Sequence, residues 1–187
     1  TNYSLEDLQR EFLNISKQRI GSDLSIPCYQ RYVRISNKVI TILENKECRT
    51  ITNKDIRLVA AELRGSLQAS SFANQWSIVK LFINFGVTNG KIVCNNLYDS
   101  IKVERKAKKV EYLTMEELDK IRTTPYTTPS LQRVADIAIL QASLGLAYCD
   151  LMNICRSDIQ ERHGVKFIQK QRAKTGVEYI TVVSSEA

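Results

Sequence analysis

Apolar residues in the first hundred positions recur at intervals of three and four, the spacing of one helix face, in four separate runs. Ser4 is placed to cap a helix carrying Leu5, Leu8, Phe12 and Ile15 as one buried stripe. A second helix is predicted after Ser25 and Pro27, with Tyr29, Tyr32, Val33, Val39, Ile40 and Leu43 on one face and Gln30, Arg31, Arg34 and Lys38 on the other. Thr52 and Asp55 open a third, which buries Ile56, Val59, Ala60 and Leu63 and is expected to end at Gly65. The fourth is predicted from about Ser70 to Phe85-Gly86, burying Phe72, Trp76, Val79 and Ile83; Trp76 and Phe82 are read as core packing. Its polar positions Ser70, Ser71, Asn74, Gln75 and Lys80 face elsewhere, and in a DNA-binding bundle such residues meet phosphates and base edges. A compact four-helix bundle follows, with no catalytic set in it.

Beyond position 111 the pattern changes. Thr114-Met115-Glu116-Glu117 matches the capping box, so a short helix through Arg122 is predicted, ended by the proline-rich turn from Thr123 to Pro129. Leu131 to Ser143 is apolar nearly all round, which predicts a helix central to a core. Gly145 breaks it, and Asp150 to Ile154 begins another. The period then shortens to two: Lys166–Arg172 and Val177–Val182 read as an antiparallel hairpin across Ala173-Lys174-Thr175-Gly176.

Charge separates the halves. Five basic residues, Lys102, Arg105, Lys106, Lys108 and Lys109, lie within eight positions with one acid, Glu104, among them. Such a segment resists collapse into a core and attracts a polyanion. The whole chain of 187 residues has 27 Lys plus Arg against 20 Asp plus Glu, a formal charge of +7, and a pI near 9.2, which favours nucleic acid as partner. No apolar run approaches the roughly 18 residues of a bilayer span, and no signal-peptide layout opens the chain, so a cytoplasmic protein is expected, without a membrane partner. The five cysteines, Cys28, Cys48, Cys94, Cys149 and Cys155, form no C-x-x-C pair and read as reduced thiols, with no metal site. The single histidine, His163, precedes Gly164 and reads as a turn residue.

The order of a four-helix half, a basic linker, Tyr112-Leu113-Thr114-x-x-Glu117-Leu118, Leu144-Gly145-Leu146-Ala147-Tyr148-Cys149-Asp150-Leu151, and Lys174-Thr175-Gly176 resembles a tyrosine recombinase of the phage and transposon integrase family. The branch it looks most like is that of Bacteroides-type mobile elements. The resemblance implies a mainly α fold with a small β-hairpin: a SAM-like core-binding domain over residues 1–101, a basic linker over 102–111, and the first part of an α+β catalytic domain over 112–187. It implies a C-shaped clamp on duplex DNA, a homo-oligomer on DNA when full length, and a place at the bacterial nucleoid. DNA contacts are expected from Arg31, Arg34, Asn74, Gln75, Lys80, the five basic linker residues and Arg172.

In that family a tyrosine attacks the scissile phosphate, two arginines neutralise the phosphorane oxygens, and a hairpin lysine protonates the leaving 5′-oxygen, with no cofactor and no metal. Lys174 matches that lysine. Ala147 stands where the first arginine is expected, and a methyl group cannot neutralise a phosphorane; Arg133 is the candidate substitute, although fourteen positions upstream amounts to about 20 Å of helix. The H-x-x-R motif and a matching nucleophilic tyrosine are not among the 187 residues. The chain is therefore expected to be an inactive, truncated portion, leaving an apolar patch around Ile139, Leu140 and the inner face of the hairpin. The alternative is a degenerate, non-catalytic DNA-binding relative acting as a regulator or structural factor at recombination sites; an unrelated helical transcription regulator would leave the hairpin unexplained.

Overall fold

In the computed structural model, residues 2–93, 101–103 and 111–183 are described, and the chain divides into two compact units, Thr1–Lys108 and Lys109–Ala187. The architecture is mainly helical with one small antiparallel sheet.

The first unit packs four helices, α1 (Leu5–Gln18), α2 (Ile26–Ile42), α3 (Asn53–Ser66) and α4 (Ala69–Thr88), with a 3-10 turn at Cys48–Thr50 between α2 and α3. Ser4 caps α1 through a capping box with Asp7, and Ser25 caps α2 with Pro27 in its first turn. One continuous core gathers Leu5, Leu8 and Phe12 with Ile35, Val39, Ile56, Val59, Leu63, Trp76, Val79, Phe82 and Ile83. Phe12 lies 5.5 Å, centroid to centroid, from Tyr32, Phe82 and Phe85, so α1, α2 and α4 meet on a tilted aromatic cluster.

Several expectations need correction. Ile15 is 49% exposed, because the buried stripe of α1 continues from Phe12 to Ser16, four residues on. Ile35, absent from the predicted face of α2, is buried, whereas Tyr29 is only half-buried. Neither glycine stops its helix. Gly65 lies inside the last turn of α3, and α4 runs two residues past Gly86. A Cβ on Gly86 would stand 2.6 Å from Ile92 Cδ1 and 2.9 Å from Leu8 Cδ2, so this glycine admits the side chain of the segment that folds back after α4.

The start of the expected linker is described as far as residue 103. Ile101 is buried in the core of the first unit and Val103 packs against it, so the chain is still anchored there at residue 103. Arg105, Lys106, Lys108 and Lys109 lie outside the described residues, and for them the predicted polyanion-binding segment stands on sequence alone.

In the second unit, α5 (Met115–Thr123) starts at the predicted Thr114–Glu117 capping box. Its last turn is closed by the Thr124 hydroxyl, which donates to the Lys120 carbonyl, and by the Tyr126 hydroxyl, which donates to that of Ile121. Helix α6 (Pro129–Leu144) is not central to a core: only Ala135 and Leu144 are buried, Ile139 and Leu140 are half-buried, and Leu131 and Val134 face outward. The short helix α7 (Tyr148–Leu151) gives way to a 3-10 turn and to β1 (Ile159–Arg162), a strand the sequence reading did not include. With β2 (Val165–Gln171) and β3 (Glu178–Val182) it makes an antiparallel sheet of order β1-β2-β3, extending the predicted hairpin by one strand. His163 and Gly164, at φ of 52° and 76°, form the tight turn between β1 and β2. The second core is small: Leu144, Leu146, Leu151 and Ile168, with Ile137, Leu140 and Tyr179 against them.

Candidate nucleic-acid interface and hairpin

Helix α2 turns Ile35, Val39 and Ile40 inward, which leaves Arg31, Arg34 and Lys38, at i, i+3 and i+7, along one outer face. Helix α4 buries Phe72, Ala73, Trp76 and Val79, and thereby presents Ser71, Asn74, Gln75 and Ile78 on a neighbouring face. These two faces meet at a shallow depression of about 210 Å³, lined by Arg31, Arg34, Ser71, Asn74 and Gln75 over the apolar Ile35 and Ile78. Lys38 Nζ donates to Gln75 Oε1 at 3.4 Å and so extends the polar face. Among the described residues, no carboxylate lines the depression; Glu62 shares the adjoining hollow with Arg34 and Lys38. Four predicted contact residues (Arg31, Arg34, Asn74 and Gln75) are thus brought together. Lys80 is not among them: six residues after Asn74 is about 240° round the helix, and its side chain is half-buried.

Lys102 lies at a second hollow of the same unit, about 380 Å³, lined by Arg64, Leu67, Ala69 and Phe72. Arg64 donates to the Lys102 carbonyl and sets its guanidinium 4.9 Å from the centroid of Phe72, which stacks on Trp76. Sequence reasoning missed Arg64, since nothing in a last-turn arginine shows that a chain 38 residues later returns to it.

The second unit builds the loop that holds Lys174. Arg172 N–H donates to Val177 O at 2.8 Å, and Arg172 O accepts from Thr175 N–H at 3.3 Å and Gly176 N–H at 2.8 Å. Gly176, at φ 67°, takes the left-handed conformation that this closure needs. Lys174 and Arg172 are exposed. One side of the loop is tied down from an unexpected place: Asp150, buried in α7, accepts from Ala173 N–H at 2.8 Å through Oδ1. The Leu144–Leu151 segment, which includes Ala147 as the N-cap of α7, is therefore bonded directly to the Lys174 loop. Thr181 Oγ1 donates to Leu144 O at 2.9 Å, fixing β3 to the end of α6. Lys170 Nζ donates to Asp158 Oδ2 at 2.7 Å and Asn153 O at 2.8 Å; with the Cys155 amide, that ammonium holds the Asp158 carboxyl below the usual carboxylate range, and Asp158 raises Lys170 in turn. Arg133 is exposed on α6, eleven residues before Leu144, or about 16 Å of unbroken helix.

Among the described residues, no group of three His, Cys, Asp or Glu side chains could hold a metal, and no helix is long and apolar enough to cross a membrane.

The fold matches that of the core-binding and catalytic domains of solved integrases. A lambda integrase tetramer bound to a Holliday junction matches with a TM-score of 0.76 at 18% identity, over 97% of this chain and 51% of that one. A lambda integrase dimer bound to a COC′ core site matches at 0.73 and 19%, over 95% and 48%. The Tn1549 transposon integrase in complex with circular intermediate DNA matches at 0.69 and 13%, over 98% and 62%. The chain spans about half the length of the first two. No protein-family model and no curated protein matches it.

Proposed function

We propose that this chain is the DNA-binding portion of a site-specific tyrosine recombinase, acting on duplex DNA in a bacterial cytoplasm, with strand cleavage and rejoining belonging to the full-length protein. The observation that carries this reading is the depression where Arg31 and Arg34 of α2 meet Ser71, Asn74 and Gln75 of α4, with no carboxylate among the described residues that line it. The likeness in fold to integrases solved on DNA supports it, as does the net charge of +7. In this reading the unit over residues 1–101 binds one side of the duplex, the basic residues of 102–111 follow the phosphates, and the hairpin of 112–187 brings Lys174 and Arg172 to the backbone. Lys174 is the general acid and Arg133 the substitute arginine. The full-length protein works as a homo-oligomer on its site.

Ten cations are assigned to the backbone: Arg31, Arg34, Lys38, Lys102, Arg105, Lys106, Lys108, Lys109, Arg172 and Lys174. Full engagement gives a log–log salt slope of about −9, so affinity for a 30-base-pair duplex is expected to fall roughly 10⁵-fold between 50 and 200 mM salt. A flat response in fluorescence anisotropy refutes the proposal.

One residue favours a second reading, a non-catalytic relative that occupies recombination sites: Ala147, whose methyl group offers no charge to a phosphorane. On a nicked suicide duplex the 187-residue chain is expected to leave no covalent adduct, since it holds neither H-x-x-R nor a matching tyrosine. A longer gene product that carries both motifs and still forms no adduct decides for the second reading.

A further inference from the structure

The depression on the first unit holds two kinds of side chain. Arg31, Arg34 and Lys38 are long and charged, and phosphates satisfy them whatever the sequence. Asn74 differs in each respect that matters. It is short, uncharged and exposed, and it makes no hydrogen bond among the described residues, so both prongs of its amide are available. Its neighbour Gln75 carries the same amide but is half-buried, with Oε1 accepting from Lys38.

Position on the helix separates their roles further. Ser71, Asn74 and Ile78 fall at i, i+3 and i+7 along one line of α4, spanning about 10 Å of helix rise. That length matches about three base pairs at 3.4 Å each. An amide N–H can bond a phosphate oxygen with its donor alone, but an asparagine on a helix lying in the major groove uses both prongs, the donor and acceptor that pair with adenine N7 and N6. The apolar Ile78, one turn further on, suits the methyl group of a thymine.

We infer that Asn74 is the base-reading side chain of this depression, selecting adenine in the major groove, while Gln75 is a positioning residue that holds Lys38 against a phosphate. This rests on the duplex-binding function proposed above and assigns the source of sequence preference within it. The α2 cations set the affinity, and Asn74 sets which duplex is chosen.

The test is selection from a pool of random duplexes by the full 187-residue chain, run in parallel with Asn74→Ala, Gln75→Ala and Lys38→Ala. The unmodified chain is expected to enrich an adenine at one position. Asn74→Ala should flatten that position, with a loss of preference of roughly 5- to 150-fold, and leave the salt slope unchanged. Lys38→Ala should weaken every duplex alike and reduce the salt slope by about 1; Gln75→Ala should do the same in part, with adenine still selected. Asn74 is exposed, so an unchanged thermal midpoint separates lost reading from lost folding. Retention of the adenine by Asn74→Ala overturns the inference, as does a fall in its salt slope like that of Lys38→Ala. Enrichment of no sequence by a chain that still binds duplex overturns this inference and leaves the binding function standing; failure to bind any duplex at low salt overturns both.

Discussion

Replacing Asp55 by alanine tests how the first unit is held together. Its carboxylate accepts from the Thr52 amide at 2.8 Å and the Thr52 hydroxyl at 2.7 Å, forming the capping box of α3, and from Lys46 Nζ at 2.8 and 2.9 Å. The Asp55 side chain is 15% exposed and that of Lys46 36%. Loss of the cap costs about 1 kcal/mol, and loss of a partly exposed ion pair about 0.5 kcal/mol after allowance for solvent screening. The sum, about 1.5 kcal/mol, is a substantial part of a domain stability of roughly 5–15 kcal/mol. The assay is urea unfolding followed by tryptophan fluorescence, because Trp76 is the single tryptophan and lies in the core of the unit that holds Asp55. With an m-value of roughly 1.5 kcal/mol/M, the midpoint should fall by about 1 M.

The pH dependence supplies the sign. Burial pushes the Asp55 carboxyl up, but the hydrogen bonds from Lys46 and Thr52 outweigh it and leave the pKa lowered. A lowered folded-state pKa stabilises the fold above the ordinary aspartate value of about 3.9, and that stability is lost as pH falls through the folded-state value. The gap between the unmodified chain and Asp55→Ala should therefore be full at pH 7 and narrow below about pH 4. Asp55→Asn keeps an acceptor for the Thr52 amide and should recover most of the loss. An unchanged midpoint for Asp55→Ala, or the same gap at pH 7 and pH 3, refutes this reasoning.

Two further substitutions probe packing and the hairpin. Gly86→Ala gains about 1 kcal/mol of helix propensity but drives a Cβ to 2.6 Å from Ile92 and 2.9 Å from Leu8, both in the core, at about 2 kcal/mol for overpacking; the same fluorescence assay should show a net loss near 1 kcal/mol, and a stabilised variant counts against it. Asp150→Ala strips the Ala173 amide of its partner and should cost the second unit about 1–3 kcal/mol, with faster hydrogen exchange at Ala173 and an unchanged Trp76 transition; unaltered exchange at Ala173 removes Asp150 as the anchor of the Lys174 loop.

Helix starts were legible from local chemistry. Ser4, Ser25 and Thr114 cap through groups at most three residues away, and three-four spacing along Ile56, Val59, Ala60 and Leu63 is the buried stripe of α3. Helix ends were less so, because the fate of Gly86 depends on Ile92 and Leu8, which a local rule for glycine cannot weigh. Of the candidate interface, the sequence showed polar faces on α2 and α4 but not that they adjoin. That adjacency follows from which apolar stripes interlock, as does the Lys38–Gln75 contact across 37 residues. Composition marked α6 as a core helix, yet burial depends on what packs around it, and Leu131 and Val134 are exposed. The hairpin and Lys174 at its turn followed from period-two patterning and Gly176; that a buried Asp150 would hold the loop was decided only in three dimensions, since hydrogen bonds between distant segments leave no periodic trace in a chain.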